Sequence, residues 1–376
     1  MDRMPEPAGE GPLRDWLSVA LRCGRPAPLD AAVTAEALRE AADREGVVAL
    51  LEARLRAEGG WEALPEAHRE AVHTHARGLA AQWLQRGEEL RQLDHVLAAA
   101  GLRALLLKGS ALALWLYPQP HLRMGGDIDL LLDSAAAVRQ AADALAAHGY
   151  APAFEPGDTH FELTLRRSID GRLRSELDLH SRLLNAAVYA DVFSFAALWE
   201  SGQALPGYGA SLRALSPRHA LAHACLNRAL DLQNGIPDRL KLLYDLRLLA
   251  ARSTAEDWDA LGALAEENRI AGICLRSLED AARWLGATLP GDVRARLRGL
   301  AEREPLDHRR LEDWRYMQWQ NLRALPSLGA RLRWLYQRLL PTPGQLHALY
   351  GDGPPWRLRL RRLRRGVARL LGAKSP

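Results

Sequence analysis

At Gly101 the chain changes texture, and that change constrains its fold more than any other feature. Before it, from about Leu13 to Ala99, apolar residues recur every three to four positions in sequence such as ALREAADREGVVALLEARLRAEG, the pattern of amphipathic helices. After it, RALLL is a short apolar run that ends at Lys108-Gly109-Ser110; the helical ALALWLY, a loop through Pro118, Pro120 and Gly125-Gly126, and the strand-like DIDLLLD follow. AAAVRQAADALAAHGY then reads as a helix closed by Gly149. Two alternating runs, FELTLRR and LRSELDLH, flank Asp170-Gly171, a dipeptide suited to the positive φ of a tight hairpin. The expected fold is α+β: a small mixed sheet flanked by N-terminal and C-terminal helical segments.

At 376 residues the chain exceeds what one core usually serves. We expect a helical N-terminal segment over 1–95, a sheet-containing core over 96–205, a helical domain over 206–300 and a helical extension over 301–376. Gly59-Gly60 and Pro65 punctuate the first part, and His68 to Leu97 reads as one long helix. Pro217 to about Gly286 returns to helical spacing, with Ser253 and Glu256 in a capping-box pattern before the third helix. Beyond it, prolines at 305, 326, 341, 343, 354 and 355 separate short helical pieces.

Cys23, Cys225 and Cys274 are odd in number and far apart, which indicates neither a disulfide framework nor a cysteine zinc site. With no apolar h-region at the N-terminus and no apolar run of the ~18 residues a membrane span needs, a cytoplasmic protein is expected. The net charge of +4 is uneven. From Trp356 on there are seven arginines and Lys374 without an acid, and removing those eight charges leaves the body at −4. That tail places Trp356, Leu360, Leu363, Val367 and Leu370 near one face of a basic amphipathic helix, suited to an anionic surface, whether membrane or nucleic acid, or to docking on its own body.

Asp127 and Asp129, two apart on a strand, project from one face. In the second alternating run Leu173, Leu177 and Leu179 share a face, while Arg174, Glu176, Asp178 and His180 share the other, so Asp178 can bring a third carboxylate to the same edge. Three acids form a hard oxygen site of the kind magnesium prefers. Gly109-Ser110 at a helix start offers unobstructed backbone donors to phosphate, and Lys108, Arg123 and Lys241 are candidate cations beside it. His180 reads more simply as a strand-end histidine satisfied by backbone. His219 and His223 read as packing, because Ala220 replaces the glutamate of a zinc His-Glu-x-x-His motif. A second Asp-x-Asp, Asp257 to Asp259, falls in a helix's first turn, where acids favour the dipole.

LLLKGSALALWLY, RMGGDIDLLL and ELDLHSRLL together resemble the pattern of the DNA polymerase beta-like nucleotidyltransferase superfamily. Within it the chain is most similar to the bacterial uncharacterised nucleotidyltransferases, through Lys108-Gly109, Arg123 and Asp178-Leu179-His180. The resemblance implies two magnesium ions, a nucleoside triphosphate donor and pyrophosphate as product. Asp127 and Asp129 would hold both metals and Asp178 the catalytic one, and Gly109, Ser110, Lys108, Arg123 and Lys241 would hold the nucleotide. The acceptor is open among small molecule, peptide, protein and RNA, and the alternative is a catalytically degenerate nucleotide- or partner-binding protein.

Overall fold

The computed structural model describes residues 10–123, 125–153, 162–184, 186–190, 192–340, 346–347, 350–351 and 353–370. Four helices come first: α1 Glu10–Cys23, α2 Ala35–Arg44, α3 Val48–Glu58 and the long α4 Glu66–Ala99. Thr34 caps α2 through its side chain, and α3 stops at Gly59, whose φ of 78° gives the left-handed turn that ends a helix without a Cβ penalty. The sheet region follows as β1 Ala104–Leu106, α5 Lys108–Trp115, β2 Ile128–Leu132, α6 Ala135–Ala146, β3 Tyr150–Pro152, β4 Glu162–Ile169, β5 Arg172–His180, α7 Phe195–Glu200, β6 Gln203–Ala204 and β7 Leu212–Ala214. Then come α8 Pro217–Gln233, α9 Leu240–Arg252, α10 Ala255–Asn268, α11 Ala271–Leu285, α12 Gly291–Ala301, α13 Trp314–Ala324, α14 Leu328–Leu339 and α15 Pro355–Leu370.

The fold is α+β, as expected. Its seven-stranded mixed sheet has the order β3-β4-β5-β2-β1-β7-β6, with β2–β5 and β1–β7 parallel and the other pairs antiparallel. Strand alternation separates two cores. Ile128, Leu130, Leu132, Leu177 and Leu179 bury against Leu90, Leu93 and Leu97 of α4 and Val138, Ala141 and Leu145 of α6. Leu105, Leu107 and Leu131, from the opposite face, join a larger core that α1 to α3 share with α8 to α12. The N-terminal helices and the helices after the sheet therefore enclose one face together.

Two local expectations need correction. The cap of α10 is Thr254 with Asp257, not Ser253 with Glu256, because the Ser253 hydroxyl donates to the Leu249 carbonyl of the preceding helix. Leu173 is 55% exposed and does not join Leu177 and Leu179. A bulge explains it: Arg167 pairs with Ser175 but Ser168 with Leu173, so Arg174 is skipped and the two-residue alternation breaks there. The hairpin itself is tight, with Asp170 and Gly171 at φ 51° and 72°.

Candidate active site

Parallel pairing of β2 with β5 sets Asp129 directly opposite Asp178, and antiparallel pairing of β4 sets Thr164 opposite Asp178 and Glu162 opposite His180. All five residues project from the face away from α4 and α6. Ligand atoms of Asp129, Asp178 and His180 lie within 4.8 Å of one another, and all three residues are buried. His180 Nε2 is 3.0 Å from Asp129 Oδ1, Thr164 Oγ1 donates to Asp178 Oδ1 at 2.7 Å, and His180 Nδ1 is 3.6 Å from Glu162.

The two aspartates are tuned apart. Burial pushes both carboxyls up. At Asp129 the His180 hydrogen bond and the Lys108 ammonium, 2.5 Å away, outweigh burial and hold it at about 2. At Asp178 the Glu162 charge adds to burial, the Thr164 bond offsets only part, and the carboxyl rises to about 6. One carboxylate is thus ionised under all ordinary conditions and its neighbour is poised near neutrality.

Lys108 reaches Asp129 through an unusual backbone. The Leu107 N–H donates to the Asp129 carbonyl at 2.9 Å, and the next residue, Lys108, opens α5 with φ 50°. For a side chain with a Cβ that costs of order 1 kcal/mol, a strain of the kind that clusters at functional sites. Gly109 and Ser110 follow, both buried. A Cβ on Gly109 would sit 2.7 Å from the Arg123 guanidinium, so close packing, not a positive φ, demands glycine there. Ser110 Oγ donates to the Asp127 carbonyl at 3.2 Å.

Asp127 lies one residue before β2, half-buried, and is not among the three clustered ligands. Its position is set by Arg86, which reaches from the middle of α4 to the carbonyls of Asp127 (2.6 Å) and Gly126 (2.9 Å) and to Ser110 Oγ (3.3 Å). Arg123 is buried and paired with Asp245 of α9 at 2.6 Å; Tyr117 donates to the same carboxylate at 2.8 Å. Lys241, at the start of α9, is half-buried with its stem over Gly46. Burial, then Arg123 and Arg239, depress its ammonium to about 8.

A cleft runs between α5 and α8, lined by Lys108, Trp115, Arg123, His223, Asn227 and Asp245 among apolar side chains. His223 is buried there and, by burial and the nearby Lys108 charge, depressed to about 3, so it is neutral. His219 is instead held by the hydroxyls of Ser216 and Ser201 at 2.9 and 3.1 Å, a packing role as expected. Arg86, Thr164 and Glu162 were not singled out in the sequence. His180 was weighed, and it bonds a carboxylate where a backbone partner was expected.

A family model described as uncharacterised nucleotidyltransferase matches residues 31–300. The chain belongs to this family. The matched span includes every residue of the site, from Arg86 to Asp245, while α13, α14 and α15 lie beyond it. No curated protein and no solved structure gives a significant match.

Proposed function

We propose that this nucleotidyltransferase moves a nucleoside monophosphate from a nucleoside triphosphate to an acceptor hydroxyl or phosphate, releasing pyrophosphate, in the manner of DNA polymerase beta-like enzymes. The observation that carries the reading is the placement of Asp129 opposite Asp178 on parallel neighbouring strands, with His180 in the same buried cluster. A cytoplasmic setting suits its three free cysteines.

The donor set fits a divalent cation. Asp129, Asp178 and Glu162 face one another with Lys108 as the cation on Asp129, and Asp178 is raised to about 6 by burial first and by the Glu162 charge second. Hard carboxylate oxygens favour magnesium, and when bound it would neutralise the triphosphate and hold attacking and leaving oxygens in line. Asp127, Asp129 and Asp178 are the proposed ligands of two ions. His180 and Lys108 both bond Oδ1 of Asp129, which leaves Oδ2 to ligate and fixes the carboxylate's orientation.

The remaining residues bind, position and move the proton. Lys108, the Gly109-Ser110 turn and Lys241 hold the triphosphate; Lys241 supports this role by being half-buried beside the charges of Asp127 and Asp245 and depressed to about 8. Arg123, committed to Asp245, acts on the nucleotide by locking the Gly109 turn against α9. Arg86 holds the chain entering β2, and with it Asp127. In the transfer step the acceptor oxygen bonds the α-phosphorus, the bridging bond to the β-phosphate breaks, pyrophosphate leaves, and the acceptor proton passes to the Asp178 carboxylate.

The test is transfer of α-labelled nucleoside triphosphates to components of a host lysate with magnesium, wild type against Asp129→Asn. Label with the wild type alone supports the proposal, and the size of the labelled species gives the acceptor class. No label from either protein together with no magnesium-dependent triphosphate binding would overturn the proposal.

A further inference from the structure

The chain beyond α12 has a chemistry unlike the rest. From Trp314 to the end there are twelve arginines and one lysine against a single acid, Asp352. α13 is anchored: Met317 is buried in the larger core, and the Asn321 side chain accepts from the Val188 backbone. The most extensive contact of α14 among the described residues is with α13.

On α14, Leu328, Leu332, Leu335 and Leu339 recur at the spacing of one helical face, and they are 70, 59, 38 and 59% exposed, with Tyr336 beside them at 62%. α15 repeats the arrangement. Its Leu358 tucks against Gly353, while Trp356, Leu360 and Leu363 form a separate face, 58, 48 and 48% exposed. Exposed arginines flank both apolar rows: Arg331 and Arg333 on α14, and Arg357, Arg359, Arg361 and Arg364 on α15.

We propose that α14 and α15 dock this nucleotidyltransferase on an anionic lipid surface, leucines and tryptophan in the acyl boundary and arginines on the headgroups. Charge and apolarity agree on this occupant. A helix face of bare leucines next to arginines, without acids, gains from a surface that is anionic outside and apolar beneath. RNA would use the arginines and could stack on Tyr336 and Trp356, but it would leave the leucine rows in water, since leucine offers no ring for a base. The helices lie on the bilayer and do not cross it: at about 1.5 Å per residue, 12 and 16 residues fall short of a hydrocarbon core of about 30 Å, and no described helix is long and apolar enough to span one.

Flotation of the full chain with vesicles tests this, comparing phosphatidylcholine alone with vesicles containing about one third phosphatidylglycerol. The wild type is expected to float with the anionic vesicles only. Leu332→Glu with Leu339→Glu, and separately Leu360→Glu with Leu363→Glu, are expected to weaken binding by about tenfold or more; these side chains are exposed, so circular dichroism should be unchanged. No flotation, equal flotation on both vesicles, or leucine variants that float like wild type would overturn the proposal. So would salt-sensitive RNA binding without flotation, or a wild-type dimer that the leucine variants turn into monomer, since either identifies another occupant.

Discussion

The two faces of β2 and β5 are made from the same two short runs, residues 128–132 and 177–180, and do opposite things. Toward α4 and α6 the strands present Ile128, Leu130, Leu177 and Leu179, each fully buried in an aliphatic core. From the opposite face they present Asp129, Asp178 and His180, also buried, in a cluster where burial is opposed by hydrogen bonds and one ammonium. Strand alternation lets one face hold the sheet rigid while the other keeps charged groups whose burial costs stability. The wet face is affordable because its charged groups are fixed by neighbours on strands that the dry face already positions.

The wet side is not all chemistry, and the largest expected effect probes that exception. Arg123→Ala would leave Asp245 buried with the Tyr117 hydroxyl but without its guanidinium, a loss of roughly 3–5 kcal/mol in urea denaturation. A loss below about 1 kcal/mol would mean that the pair does not tie α9 to the Gly109 turn. On the dry face, Leu177→Ala should cost about 3 kcal/mol by removing fully buried methyl groups, while the folded fraction keeps wild-type metal affinity. A metal affinity that falls in step with stability would break the division between the faces.

How far this division could be read beforehand depends on whether the signal was local. Asp129 and Asp178 were legible because alternation marks which residues share a face, and the Asp170-Gly171 turn marks the antiparallel pair. Thr164 and Glu162 were not. Counting back from a two-residue turn pairs Leu163 with Asp178; the bulge at Arg174 moves the register by one and brings Thr164 there instead. Nothing in the flanking residues announces that bulge. Arg86 sits in the exposed-looking repeat of a long helix, and only the tertiary path of α4 across the sheet brings it to Asp127. Parity puts Asp127 on the same face as Asp129, but it precedes the strand, and the group that clusters with Asp129 and Asp178 is His180.

Asp178→Asn should have the opposite sign to Leu177→Ala. A carboxyl raised from its ordinary value to about 6 favours the folded state fully below the unfolded pKa of about 4, and that contribution is lost as pH rises through 6. At about pH 8 the neutral amide should therefore stabilise the metal-free protein by on the order of 1–2 kcal/mol, seen as a higher denaturation midpoint, while abolishing tight metal binding. Metal affinity of the wild type should climb between about pH 5 and 7, as Asp178 sheds its proton, and then level off. An amide variant less stable than wild type at pH 8 would show that the carboxylate is better compensated than its neighbours indicate.

The smallest effect is a fraction of one proton at Lys241. Its ammonium, depressed to about 8 by burial and by Arg123 and Arg239, is mostly neutral at about pH 9 in the free protein. A triphosphate placed against it would draw the pKa back up, so binding at pH 9 should take up protons, whereas at about pH 7 the group is charged in both states and uptake should vanish. Calorimetry in two buffers of different ionisation enthalpy reads this directly, and Lys241→Met should remove the uptake at pH 9. Uptake that persists in the methionine variant would assign the proton to another group and take Lys241 out of the binding site. Its loss would instead mean that the wet side is completed by substrate charge, which explains why a half-buried cation is tolerated there and no such group is needed on the dry face.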